Sequence, residues 1–116
     1  MKLRVFENSI RLRLSQADVM RLENEGRLEA ALWFDTHTVL RYKLTLGGGK
    51  IAATFDGKSV SISLPDSEAR AWLASDREGI AGTAGPLKIS VEKDYECLHR
   101  ESEEDKGSFP NPAKAR

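Results

Sequence analysis

The chain has 116 residues, 40% of them hydrophobic and 31% charged, which is typical of a soluble single domain that buries one core. No apolar run reaches the roughly 20 residues that a membrane helix needs, and the start of the chain lacks the apolar stretch of a signal peptide. We therefore expect a cytoplasmic location and no membrane partner. Cys97 is the single cysteine, which excludes an intrachain disulfide.

Charge is balanced overall, with a net charge of zero, but it is unevenly distributed along the chain. Residues 1–50 carry nine Lys and Arg against six Asp and Glu, whereas residues 51–116 carry nine against twelve. Dedicated nucleic-acid binders usually show a strong basic surplus, because neutralising phosphates supplies much of their affinity. The sequence therefore predicts at most one basic face.

The first elements in chain order are two strands. Apolar residues alternate with polar ones around Leu3 and Val5, and again in SIRLRL at residues 9–14, where Ile and Leu alternate with Arg. This period of two is typical of half-buried strands. The connector between them is short enough for a hairpin.

A helix and two further strands complete this first unit. Ser15 and Asp18 form a capping-box signal, which predicts a helix of about ten residues that ends at Gly26. Alternating apolar residues at 28–34 and again at 40–46 then predict two strands joined by a turn.

The same order of signals returns about fifty positions later. KSVSISLPDSEA at residues 58–69 keeps the apolar phase of NSIRLRLSQADV, Asp56-Gly57 favours a hairpin turn before it, and Pro65 marks the start of a second helix. Two strands are predicted behind that helix, a weak one at 79–83 and a clear one at 87–91.

These elements predict an α+β, strand-rich single domain at residues 1–93, in which a ββαββ unit occurs twice, at 2–46 and 50–93. Each unit is too small to bury a good core alone, so we expect a pseudo-twofold pair, as a small barrel-like or intertwined sheet with two helices. We interpret the repeat as an internal duplication.

Residues 94–116 are predicted to form an irregular, acidic and Pro-containing C-terminal tail. Its ESEEDK run is typical of a solvated linker, and folding back onto a basic face is the alternative.

Two resemblances rest on these stretches. NSIRLRLSQADV, LKISVEKDYECL and FPNP resemble an uncharacterised bacterial family of small cytosolic proteins, classed as a domain of unknown function, which implies a compact single-domain protein.

The order of hairpin, strand ending in Leu or Leu-Pro, helix and closing hairpin is similar to the swapped-hairpin fold of AbrB-type regulators and MazE-type antitoxins. That resemblance implies a fused pair that binds operator DNA or a toxin. Those regulators have basic residues in both copies, whereas here Ser61 and Ser63 stand where the first copy has Arg11 and Arg13.

Several basic residues fall out of phase with the apolar residues of their strands. They are Arg4, Arg11, Arg13, Arg41 and Lys43, with Trp33 as a further member of the same face. We predict a ligand-binding surface for an anion or a partner, carried by Arg11, Arg13, Arg41, Lys43 and Trp33. A solvated strand face whose charges protect sheet edges from aggregation is the alternative.

No catalytic constellation or cofactor motif stands out. Cys97 and His99 are weak metal candidates, with His37 as the other histidine, because no second cysteine or paired histidine completes a ligand spacing. The alternative for Cys97 is a small buried hydrophobe. LGGGKIA departs from a phosphate-binding loop, because Lys50 is followed by a strand pattern, and it is predicted to be a connector.

The sequence thus favours a non-enzymatic binding or protein-interaction domain without a cofactor, whose partner is another protein or a second copy of the chain. A DNA-binding regulator or antitoxin-like protein of swapped-hairpin type is the alternative. A metal-binding or enzymatic role around Cys97 and His99 is the third.

Overall fold

The computed structural model describes residues 1–95. The strands are β1 (Lys2–Phe6), β2 (Ser9–Leu14), β3 (Arg27–Trp33), β4 (Val39–Leu46), β5 (Ala52–Phe55), β6 (Ser59–Leu64), β7 (Gly79–Ala84) and β8 (Leu87–Lys93). The helices are α1 (Gln16–Glu25) and α2 (Asp66–Leu73). The predicted α+β class is confirmed, and the weak strand predicted at 79–83 is present as β7.

Helix α1 begins and ends where its sequence predicts. The Ser15 hydroxyl accepts the Asp18 N–H at 3.1 Å, and the Asp18 carboxylate accepts the Ser15 N–H at 3.0 Å, which closes the capping box. Gly26 ends the helix in the left-handed conformation, with φ of 75°, and its N–H donates to the Leu22 carbonyl. These local bonds place the buried Leu22 against the core.

Helix α2 depends on burial more than on capping. Pro65 precedes it and makes no side-chain capping bond, because the proline ring has no acceptor atom for a helix N–H. Ala69, Trp72 and Leu73 are buried on one side of the helix. At its C-terminus the Lys93 ammonium donates to the Trp72 carbonyl at 3.1 Å, where a cation is favoured by the helix dipole.

The two sheets exchange hairpins between the halves of the chain. Sheet A has the order β1-β2-β8-β7, and sheet B has the order β3-β4-β6-β5. The central pairs, β2 with β8 and β4 with β6, are parallel, and the flanking pairs are antiparallel hairpins. Each sheet therefore joins one hairpin from each half, so the halves are intertwined.

The pairing pattern of one sheet is repeated in the other. The central opposed pairs are Leu12 with Val91 in sheet A and Ile62 with Leu44 in sheet B. The Asp94 N–H donates to the Leu14 carbonyl at the end of β2, and the Gly47 N–H donates to the Leu64 carbonyl at the end of β6, both at 2.8 Å. The strand registers of sheet A thus match those of sheet B. An origin of this match by duplication stays a prediction, and so does the boundary between the domain and the tail.

One hydrophobic core lies between the sheets and the helices. It is formed by Leu12, Leu14, Leu22, Leu28, Leu44, Ile62, Leu64, Ala69, Trp72, Leu73, Ile80, Ile89 and Val91. Because alternate strand residues enter this shared core, the remaining residues of sheets A and B form two outer faces that point away from it. No polar or charged residue is fully buried within residues 1–95.

Some sequence expectations concern positions outside the core. Phe34 has the apolar phase of the preceding strand, but β3 ends at Trp33, so Phe34 lies in the turn and is exposed. The glycine connector lies between β4 and β5, and Lys50 leads into a strand, as the sequence predicts. Within residues 1–95, neither helix has the length and apolar character required to cross a membrane. Of the predicted tail, residues 96–116 lie outside the described residues.

Candidate binding surfaces

Five cationic side chains share the outer face of sheet A. They are Lys2 and Arg4 of β1, Arg11 and Arg13 of β2, and Lys88 of β8, and we call them the basic face. Lys2 lies opposite Arg13, and Arg4 lies opposite Arg11. Like charges that are directly opposed destabilise an antiparallel pair, so this arrangement reduces stability rather than supporting the fold.

Two carboxylates partly neutralise the basic face. The Arg11 Nε lies 2.9 Å from a Glu92 carboxylate oxygen, and the two side chains are only 23% and 17% exposed. The Lys2 ammonium lies 3.1 Å from an Asp94 oxygen. Within residues 1–95, the buried Arg13 Nε has no hydrogen-bond partner. A buried donor without an acceptor costs stability.

A depression of about 500 Å³ lies on the outer face of sheet A near its hairpin turns. Arg11 and Lys88 flank it, and Ser9, Thr83 and Ser90 bring hydroxyl groups to its lining. Ammonium, guanidinium and hydroxyl groups are the donors that bind carboxylates and phosphates in proteins. Phe6, Ile10 and Ile89 also line it, so the depression combines polar donors with apolar surface.

The outer face of sheet B carries the other predicted site residues. Arg41 and Lys43 lie on β4, and Trp33 lies on β3. The Arg41 guanidinium lies 5.8 Å from the centre of the Trp33 ring, within cation–π distance, and 3.4 Å from a Glu29 carboxylate oxygen. The neighbouring strand β6 contributes only serines to this face: Ser59, Ser61 and Ser63.

The structure therefore divides the predicted site residues into two groups. Arg11 and Arg13 lie together on sheet A, whereas Arg41, Lys43 and Trp33 lie together on sheet B, with the core between the two groups. Sequence reasoning missed the contribution of Lys88. Its alternation with Ile89 and Val91 gives its outward phase, but its place beside Arg11 depends on the long-range pairing of β2 with β8.

The sequence profile of a family of unknown function, DUF7009, matches residues 1–113. The chain belongs to DUF7009. This membership confirms the resemblance to an uncharacterised family that NSIRLRLSQADV, LKISVEKDYECL and FPNP carry. No curated protein and no solved structure matches the DUF7009 chain.

Metal-binding chemistry finds no support in the described part of the DUF7009 chain. Within residues 1–95, no group of three or more His, Cys, Asp or Glu side chains is placed to hold a metal ion. His37 lies in the exposed turn between β3 and β4, where its backbone N–H donates to the Asp35 carboxylate at 2.7 Å. Cys97 and His99 lie outside the described residues.

Within residues 1–95, Asp18, Asp35 and Asp56 have lowered pKa values, each with a local structural cause. Backbone N–H groups of their own turns donate to Asp35 and Asp56 and lower the pKa of both. Burial raises the pKa of Asp18, but bonds from the Met1 ammonium at 2.7 Å and from Ser15 outweigh that effect and lower it. These groups stabilise turns and a helix cap, and none belongs to the basic face.

Proposed function

We propose that this chain is a non-enzymatic binding module that holds an acidic segment of another protein on its basic face. The depression beside Arg11 and Lys88 carries the proposal, since it combines two cations with three hydroxyl groups. Within residues 1–95, no carboxylate forms an ion pair with Lys88. A carboxylate bound there gains charge-assisted hydrogen bonds, which are about twice as strong as neutral ones.

The distribution of charge favours an acidic polypeptide over a nucleic acid. The whole chain has zero net charge, and Glu92 stands within the basic face. Duplex DNA carries one charge per about 1.7 Å of its axis, and its binders neutralise many phosphates along an extended contact. A short acidic segment needs only a local cluster of cations, which is what sheet A presents.

A DNA-binding regulator of swapped-hairpin type is the second candidate. The exchange of hairpins between the sheets supports it, because such an exchange is what the resemblance to AbrB-type and MazE-type proteins implies. The serines of β6 weigh against it: a reader of a palindromic operator presents two equivalent basic faces, whereas Ser61 and Ser63 replace the arginines on sheet B.

The test measures how tightly the full chain binds a fluorescent polyglutamate peptide at low salt, by anisotropy. Lys88→Gln is the variant of choice, because Lys88 is exposed and lies outside the core, so its replacement should leave the fold intact. Loss of one exposed ion pair of about 1 kcal/mol should raise the Kd about fivefold. Lys43→Gln removes the same charge from sheet B and serves as the matched control, with a Kd that stays within about twofold.

Two results would overturn the proposal: no binding of polyglutamate at low salt, or equal losses in the two variants. A different pattern would replace it with the regulator. That pattern is a DNA duplex that binds more tightly than polyglutamate, with an affinity that falls steeply with salt and is lost in Arg11→Ala/Arg13→Ala.

A further inference from the structure

Exposed apolar side chains gather at the end of the molecule where the hairpins turn. Asn8 donates to the Pro86 carbonyl and joins the two turns of sheet A, while the Arg41 N–H donates to the Lys58 carbonyl and joins β4 to the β5–β6 turn. We call this region the hairpin end. Six of the eight large hydrophobic side chains exposed in residues 1–95 lie there: Val5, Phe6, Leu32, Trp33, Phe34 and Phe55.

Three of these side chains have the phase of core residues. Val5 pairs with Ile10, Leu32 pairs with Leu40, and Phe55 pairs with Val60, so all of them belong to the inner faces of the sheets. Nevertheless Val5, Leu32 and Phe55 are 65%, 49% and 66% exposed. Within the described part of the chain, these three inner-face side chains are therefore left largely uncovered.

A crevice of about 360 Å³ opens between the sheets at the hairpin end. Ile10 and Leu87 of sheet A line one side, and Leu40, Phe55 and Val60 of sheet B line the other. Its lining is mostly apolar, with Thr54 as its polar side chain, so the crevice favours an apolar occupant over a charged one.

The exposed apolar area at the hairpin end is comparable to the largest apolar patch of a typical monomer. An aromatic side chain presents about 150–250 Å² when fully exposed, so Phe34 and Phe55, each about two-thirds exposed, leave on the order of 250 Å², while Phe6 and Trp33 lie on the opposite outer faces of sheets A and B. Val5 and Leu32 add to this area. The largest apolar patch on a typical monomer is about 300–600 Å², and a standard interface covers about 800 Å² per partner.

We propose that the hairpin end is the interface of a homodimer. The walls of the crevice are equivalent in the matched registers, Ile10 to Val60 and Leu87 to Leu40, so the surface has an approximate twofold character of its own. Homodimer interfaces are also more apolar than those between other partners.

The charges around the hairpin end point to the same occupant. Asp35 lies in the turn between β3 and β4, and Asp56 lies in the turn between β5 and β6 together with the cation Lys58. Each copy therefore presents both signs of charge. A surface of one sign would repel an identical partner, whereas a mixed rim allows acids of one copy to meet cations of the other.

Sedimentation of the full chain at several concentrations tests this interface. We expect a dimer with a Kd of about 1 μM or below. Phe55→Glu places a carboxylate in the apolar contact and should raise the Kd about a hundredfold or more. Met20→Glu is the matched control, because Met20 is also exposed, at 64%, but lies on α1, and it should leave the Kd unchanged.

Circular dichroism checks that each variant remains folded. A monomer at every concentration, or a dimer that survives Phe55→Glu, would overturn the inference. If that monomer gains binding of a hydrophobic dye when residues 96–116 are removed, the C-terminal segment of the same chain is the occupant.

Discussion

Replacing Leu44 by alanine should lower the free energy of unfolding by about 3–4 kcal/mol. Leu44 is fully buried on β4, between β3 and β6, and lies opposite Ile62 of the other half. Truncating it removes buried methyl groups and leaves a cavity lined by both halves. The loss is a large share of the roughly 5–15 kcal/mol that stabilises a typical domain.

Urea unfolding followed by two signals measures this loss. Far-UV circular dichroism reports on the whole chain, and in a Trp33→Phe background the fluorescence of the buried Trp72 reports on α2 in the second half. Because both halves share one core, Leu44→Ala should shift both transitions together, by about 2 M for a urea slope of about 1–2 kcal/mol per molar. Thr45→Ala, on the same strand but exposed, should cost less than about 1 kcal/mol.

Separate unfolding of the two halves would contradict this prediction. If Leu44→Ala produced two separate transitions and left the Trp72 transition at its original urea concentration, the halves would be independent domains. The pairing of β4 with β6 could not then be what holds them together.

Two further changes test local features. The pKa of Asp18 is lowered in the folded state, so its stabilising effect is present above the ordinary value of 3.8 and is lost as the pH falls through the lowered pKa. Asp18→Asn should therefore cost about 1 kcal/mol near pH 7 and progressively less as the pH falls below 3.8 in urea titrations, and a cost that does not vary with pH would contradict this assignment. Gly79→Ala brings a Cβ within 2.7 Å of the Val91 carbonyl oxygen, whereas Gly82→Ala meets only the end of a side chain at 2.6 Å. Thermal melts should show a loss of about 1–3 kcal/mol for Gly79→Ala and a smaller one for Gly82→Ala, and equal losses would be inconsistent with the packing of β7.

Features set by neighbouring residues could be predicted from the sequence. Ser15, Asp18 and Gly26 act within the span of one helix, so the capping box and the left-handed stop predict α1 correctly. The alternation in SIRLRL likewise predicts that Arg11 and Arg13 point away from the core.

The arrangement of these elements could not be predicted in the same way. Ser9 lies opposite Lys88, and nothing local to either residue indicates that pairing. The same long-range pairing places Arg41 and Lys43 on the other sheet, away from Arg11, although all three have the same outward phase.

The exposure of apolar side chains at the hairpin end also could not be predicted from the sequence pattern. Val5 and Phe55 alternate like core residues, and alternation correctly gives the face of the sheet that each occupies. Whether that face is covered depends on what lies above it in three dimensions. At this end of the described chain the inner faces are uncovered, so residues with a core phase become surface.

The exchange of hairpins also sets the order in which a growing chain can fold. Sheet B is assembled from one continuous stretch, residues 27–64, whereas sheet A needs β1 and β2 at the beginning and β7 and β8 near residue 93. Ribosomes add about 5–20 residues per second, so several seconds pass between the synthesis of β2 and that of β8, its parallel partner in sheet A. Sheet B can form in that interval. Sheet A forms last, because the pairing of β2 with β8 must close a longer loop of chain. The sheet that carries the basic face is therefore the one that truncation at either end of the chain would open first.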